Sequence, residues 1–186
     1  MATTKTSNLT DAQGKAGKNV PNRIAKGQMV EAKDLHAYTT GQLALNEVLL
    51  TNVKIPSNAI VSEVLIYNED LDTGAALAMD FGYAASQKFR SFTSGVVTVH
   101  EADDILDADA LVDGATDAQA ATTSYTSLAL DAVTRGPAQA HEAAWETLGY
   151  DKDPNTEFVL AITIATGAGT PAAGSLAVMV RYSTDG

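Results

Sequence analysis

Two β-branched runs near the C-terminal end constrain this chain more than any other feature: residues 158–165 (FVLAITIA) and 175–182 (SLAVMVRY). Runs of this length and composition, bounded by glycine, proline and polar residues, read as strands. The segment between them, 166–174 (TGAGTPAAG), reads as the loop of a terminal antiparallel hairpin. Residues 59–67 (AIVSEVLIY) repeat the pattern and end in the polar turn Asn68-Glu69-Asp70. Leu77, Met79 and Phe81 then alternate with Ala78, Asp80 and Gly82, a half-buried strand, with residues 70–74 (DLDTG) as a hairpin loop by their chemistry. Residues 43–54 alternate in part, with a bulge or turn expected at Asn46 and closure at Ile55-Pro56. Residues 89–92 and 96–100 make two further short strands around Gly95.

About eight strands without any alternating βα unit predict an all-β chain, an antiparallel β-sandwich that is jelly-roll-like. Two segments interrupt the pattern. The acidic stretch 101–117 is expected as a short helix or an exposed loop, with Ile105, Leu106, Leu111 and Val112 as its large apolar residues. Residues 138–148 (AQAHEAAWETL) are expected as one short helix, with His141, Ala144, Trp145 and Leu148 on one stripe. With 45% hydrophobic residues but 6% aromatic ones, the core is expected to be aliphatic, without large aromatic anchors.

Charge divides the chain in two. Residues 1–33 carry Lys5, Lys15, Lys18, Arg23, Lys26 and Lys33 against Asp11 and Glu31, a net +4, so the remainder carries −15 of the total of −11. Residues 1–30 also lack apolar periodicity, and read as a flexible basic N-terminal arm preceding an acidic sandwich domain over 31–186. An acidic body disfavours nucleic acid, because phosphates demand clustered positive charge. No apolar run approaches the roughly 18 residues of a membrane span, and residues 1–18 show no secretory h-region. The expectation is a chain made and used in soluble form, with neither nucleic acid nor membrane as partner. Cysteine is absent, which removes disulfides, thiolate nucleophiles and Cys-based zinc sites.

Motifs that carry chemistry are weak throughout. Asp70, Asp72 and Asp80 suggest an oxygen cage for calcium, but counting Asp70 as position 1 of an EF-hand places Phe81 where the bidentate Glu belongs. Asp residues accepting backbone hydrogen bonds in a turn are the better reading. The run Glu101, Asp103, Asp104, Asp107, Asp109, Asp113 and Asp117 reads as a solvated acidic face. His36, His100 and His141 have no metal-ligand spacing, and no G-x-S-x-G elbow occurs. Gly167, Gly169 and Gly174 open no helix and form no phosphate cradle. The expectation is a non-enzyme with no catalytic residue, cofactor or metal.

Three segments together resemble a known family: Lys54-Ile55-Pro56 running into residues 60–67; Asp70-Leu71-Asp72-Thr73-Gly74 with Leu77, Asp80, Phe81 and Gly82; and residues 158–164 leading to Gly174-Ser175-Leu176 and Val180-Arg181-Tyr182. The pattern is similar to small virion structural proteins of tailed bacteriophages, of the capsid decoration, or cement, type. It covers residues 50–83 and 156–183. The resemblance implies a jelly-roll-like protein, commonly a homotrimer, that sits on the outer capsid surface after assembly in the host cytoplasm and locks major capsid protein subunits together. On that reading Lys15, Lys18, Arg23 and Lys26 of the arm are the candidate partner-binding residues, because an extended basic segment can order against an acidic shell. A tail, adaptor or fibre-base component is the alternative within the class. Outside it stands a carbohydrate-binding module, with Trp145, Tyr83, Tyr150, Asp70 and Asp72 as its candidates.

Overall fold

Alternating buried and exposed side chains mark most of the strands, and their pairing decides how the two apolar faces meet. The computed structural model describes residues 29–131 and 141–184. Its strands are β1 (Met29–Tyr38), β2 (Val48–Pro56), β3 (Ala59–Asn68), β4 (Ala78–Ala85), β5 (Phe89–Thr93), β6 (Val96–His100), β7 (Ile105–Ala115), β8 (Thr126–Ser127), β9 (Glu157–Thr166) and β10 (Gly174–Thr184). One helical turn, α1 (Ala144–Thr147), and two 3-10 turns at Thr40–Leu43 and Asp117–Gln119 lie between them.

Two four-stranded antiparallel sheets have the orders β1-β10-β3-β8 and β2-β9-β4-β7. The pairing is nested: β4 with β7, β3 with β8, β2 with β9, and β1 with β10. The chain is one long hairpin rolled up so that successive layers fall into alternate sheets, the double-sheet jelly roll. At the tip of the roll β5 and β6 pair only with each other.

This nesting corrects two expectations. Residues 70–74 and 166–174 are not hairpin loops; each crosses from one sheet to the other, since β3 and β10 lie in the first sheet and β4 and β9 in the second. The reason is burial. Phe158, Leu160, Ile162 and Ile164 of β9 face Leu176, Val178, Val180 and Tyr182 of β10 across one core. Pairing these strands side by side would leave no second layer for either face.

Most of the acidic segment is strand, with residues 101–104 forming the expected exposed loop. Residues 105–115 form β7, the edge of the second sheet, with Ala110, Leu111 and Val112 buried and Asp109 and Asp113 exposed. Its period is hidden by a bulge: Phe81 pairs with Val112 but Tyr83 pairs with Asp107, so β7 carries extra residues opposite Gly82. A side chain on Gly82 would place its Cβ 2.0 Å from the Asp107 carbonyl oxygen. Glycine is what lets the bulge fold down onto β4.

The core is also more aromatic than expected. Phe81, Tyr83 and Phe158 are among the largest fully buried side chains, and the Tyr83 and Phe158 rings lie 5.6 Å apart. The helix expected over 138–148 shrinks to α1, with residues 138–140 outside the described residues. Ala143 is extended, Glu146 caps its backbone N–H at 2.8 Å, and Gly149, at φ +68°, ends the turn. The expected stripe dissolves accordingly: Ala144 is buried, Trp145 half-buried and His141 exposed. Strand pairing before Asn46 gives way to the 3-10 turn at Thr40–Leu43, whereas the turn itself is present, with Asn46 at φ +66°.

Candidate interaction surfaces

The carboxylates come first, because they were the candidates for chemistry. Asp72 is 1% exposed. Its Oδ1 accepts the backbone N–H groups of Gly74 and Thr170, and its Oδ2 those of Ala76, Leu77 and Gly169, all within 3.1 Å. Burial alone would raise its pKa, but the N–H groups of Thr170, Ala76, Gly74 and Gly169 overcome that and hold the carboxyl well below the usual range. Both oxygens are committed to holding the two crossover loops together. Asp70 accepts the N–H of Asp72 within the same turn, and Asp80 that of Gly114 in β7. The three are turn and bulge anchors, and the described residues hold no group of three or more His, Asp or Glu placed to bind a metal.

The acidic residues on β7 form a second electrostatic feature. Burial and the adjacent Asp109 push the Asp107 carboxyl up to about 6. Burial, against a hydrogen bond from Gly114, also raises Asp80, with Asp113 and Asp109 adding repulsion.

Contact chemistry lies elsewhere, on two exposed apolar surfaces. On the outer face of the first sheet the strand register places side chains in rungs. Leu35 pairs with Ala177 and Ala177 with Tyr67, while the Tyr67 and Tyr125 rings approach to 5.9 Å. This apolar rung runs from β1 to Tyr125, the residue before β8, with Leu35 69% exposed. A groove of about 240 Å³ lies along it, and Glu69 and Ser175 form part of its wall. Two rungs further along, Arg181 pairs with Glu31 at 3.0 Å and Glu63 at 2.7 Å, closing that end with balanced charge.

The second surface is the β5–β6 ribbon. Ser94 and Gly95 both have positive φ, as a two-residue hairpin turn requires. One face is anchored: Phe89 stacks on His100 at 4.7 Å, and Ser91 Oγ lies 2.9 Å from His100 Nε2. The Phe92 carbonyl accepts the Asp151 N–H at 2.6 Å, and the Asp151 carboxylate accepts the Gly95 N–H at 3.0 Å. The other face carries the cross-strand pairs Arg90–Val99 and Phe92–Val97, all four exposed. Lys152 sits over the Phe92 ring at 5.5 Å. The ribbon is fastened at its base and bare on its outward face.

The other predicted site residues do not gather. Lys15, Lys18, Arg23 and Lys26 lie outside the described residues. Tyr83 is fully buried and Asp72 nearly so, and neither offers a surface to a sugar beside Trp145 or Tyr150. Sequence reasoning missed both apolar surfaces. The alternation of Arg90, Phe92, Val97 and Val99 was visible, but which side of so short a ribbon faces outward depends on the packing of Phe89.

The geometry defines a jelly-roll sandwich with exposed apolar side chains on the first sheet and on the β5–β6 ribbon. Solved structures with this fold include a chain of the Cyanophage Pam1 capsid asymmetric unit, 20% identical with a TM-score of 0.52, covering 91% of this chain and 94% of that one. A chain in the capsid of Ralstonia phage GP4 is 19% identical with a TM-score of 0.54, covering 93% of this chain and 94% of that one. A chain in the acidic stable capsid structure of Helicobacter pylori bacteriophage KHP30 is 12% identical with a TM-score of 0.46, covering 87% and 91%. No family model and no curated protein matches the chain. The likeness to phage structural proteins read from the sequence is met by the first two of these structures, which share the fold.

Proposed function

We propose that this protein is a structural component of a phage virion, a capsid decoration (cement) protein that binds the outer surface of the head and stabilises contacts between major capsid subunits. The observation that carries the reading is the extent of the likeness: chains of two phage capsids share the fold over more than nine-tenths of their own length and of this one. The chemistry agrees with it. Asp72 and Asp80 serve the backbone, and the exposed specialised features are apolar faces of the kind that bury against another protein.

In this reading the protein works as a homotrimer, and Lys15, Lys18, Arg23 and Lys26 of the basic segment before β1 contact the shell. Repetition over a symmetric head multiplies a modest single-site affinity through avidity. The test is co-sedimentation with heads that lack the protein, comparing the full chain with a form beginning at Met29, while light scattering reports the oligomer. The full chain should bind as a trimer, with the shortened form binding at least tenfold more weakly. Failure of the full chain to bind such heads overturns the proposal.

A further inference from the structure

We infer that the outward face of the β5–β6 ribbon of one copy docks onto the apolar rung of the first sheet of a second copy. The inference rests on the self-association proposed above and names the contact that produces it.

Charge provides the first argument. Among the described Lys and Arg residues, Lys33, Lys54, Lys88 and Arg181 each lie in an ion pair. Arg90 and Lys152 stand outside any ion pair, and both flank the exposed Phe92, Val97 and Val99. In a chain of net charge −11, two unpaired cations beside an apolar patch select a partner surface that is apolar and edged with carboxylate. The rung of Leu35, Ala177, Tyr67 and Tyr125 is edged by Glu69 and Asp34, and among the described residues the one cation beside it, Lys33, is held by Glu31. The Glu69 carboxylate accepts the Ser175 N–H but pairs with no cation among the described residues. Docking therefore brings these two cations to a surface that carries a carboxylate without a cation of its own.

Shape provides the second. The ribbon is a two-stranded unit that pairs only with itself and presents apolar side chains, and the first sheet offers a groove of about 240 Å³ beside its apolar rung. The two surfaces differ and lie on one molecule, so the contact is head-to-tail, and a three-fold rotation between successive copies is what closes it into the proposed trimer. A contact between like surfaces would instead set Arg90 against Arg90.

Engineered cysteines test this cleanly, because the chain has none of its own. Val97→Cys and Leu35→Cys both fall at exposed positions. On oxidation at micromolar concentration, each single variant should remain uncrosslinked, and the double variant should give covalent dimers and trimers. Val97→Asp should weaken self-association at least about tenfold while leaving the β-sheet circular dichroism of the folded chain unchanged. Crosslinking of a single variant to itself, or no crosslinked species in a double variant that scatters as a trimer, overturns the contact and leaves the trimer standing. A monomer at every concentration overturns the contact and the proposed oligomer together. A Val97→Asp form that stays trimeric but no longer binds heads would assign the ribbon to the shell and overturn the inference.

Discussion

The carboxylate of Asp72 accepts the backbone N–H of Thr170 at 2.8 Å, joining residues 98 positions apart in the chain. Asp72 and Pro171 also form an isolated antiparallel bridge. The β3–β4 and β9–β10 crossovers are therefore held as one unit, by this side chain together with the backbone hydrogen bonds from Thr73 to Thr170 and from Ala172 to Leu71. Asp72→Asn keeps the shape but replaces one acceptor oxygen with a donor, leaving at least two N–H groups unsatisfied. Its melting temperature should fall by on the order of 10 °C. Because the folded carboxyl is depressed, its stabilisation is present above the ordinary carboxylate pKa and is lost as pH falls through the folded value. The gap between Asp72→Asn and the native chain should thus be full at pH 7 and narrow in strong acid, as thermal melts across pH would show.

Asp107 works in the opposite sense. Its carboxyl is raised to about 6 by burial and by Asp109, so its favourable contribution is complete below the unfolded value of 3.8 and disappears as pH rises through 6. Asp107→Asn should melt a few degrees above the native chain at pH 7.5, and the two should converge near pH 4. Parallel curves with no convergence would mean the carboxyl titrates normally.

Gly82 is the position where the bulge of β7 touches β4. Even a methyl group there lies within 2.6 Å of the carbonyl carbon and oxygen of Ala108 as well as 2.0 Å from the Asp107 oxygen, and all of these are backbone atoms. Gly82→Ala should cost about 3 kcal/mol or more in chemical denaturation. A cost below about 1 kcal/mol would show that β7 lifts away easily.

Ala75 adopts φ +54° inside the loop that Asp72 organises. A residue with a Cβ is strained there by roughly 1 kcal/mol, partly offset by the extra freedom glycine gives the unfolded chain. Ala75→Gly should raise the melting temperature by about 1–3 °C. A fall would mean that the Cβ makes contacts worth more than the strain.

Much of the architecture was legible because strands announce themselves locally. The β-branched run at 59–67 and the terminal runs became β3, β9 and β10 almost to the residue, and the turn at Ser94-Gly95 fell where Gly95 marked it. Partner choice was not legible, because it is set by sequence separation that no local pattern encodes: Leu35 meets Ala177, and Phe81 meets Val112. The bulge at 107–112 erased the two-residue period of β7, which left its aspartates looking like loop. At the surfaces, the role of Asp72 as a turn carboxylate is legible, since an Asp two residues before a Gly in such a loop has backbone donors close by. The apolar rung was invisible because Leu35, Ala177, Tyr67 and Tyr125 are scattered along the chain and meet only through register.

The nesting of β1 against β10 has a kinetic consequence. The outermost pair of the roll joins residues as far apart as Glu31 and Arg181, so β1 has no hydrogen-bonding strand until β10 has been synthesised. Pairing at such separation is slow, and it comes last because every inner layer shortens the loop that the outer one must close. During translation the tip ribbon and β4–β7 can form first, with closure proceeding outward to the chain ends. The Leu35 side of the apolar rung then comes into being only when the roll is complete, so that half-made chains lack the face on which copies would meet.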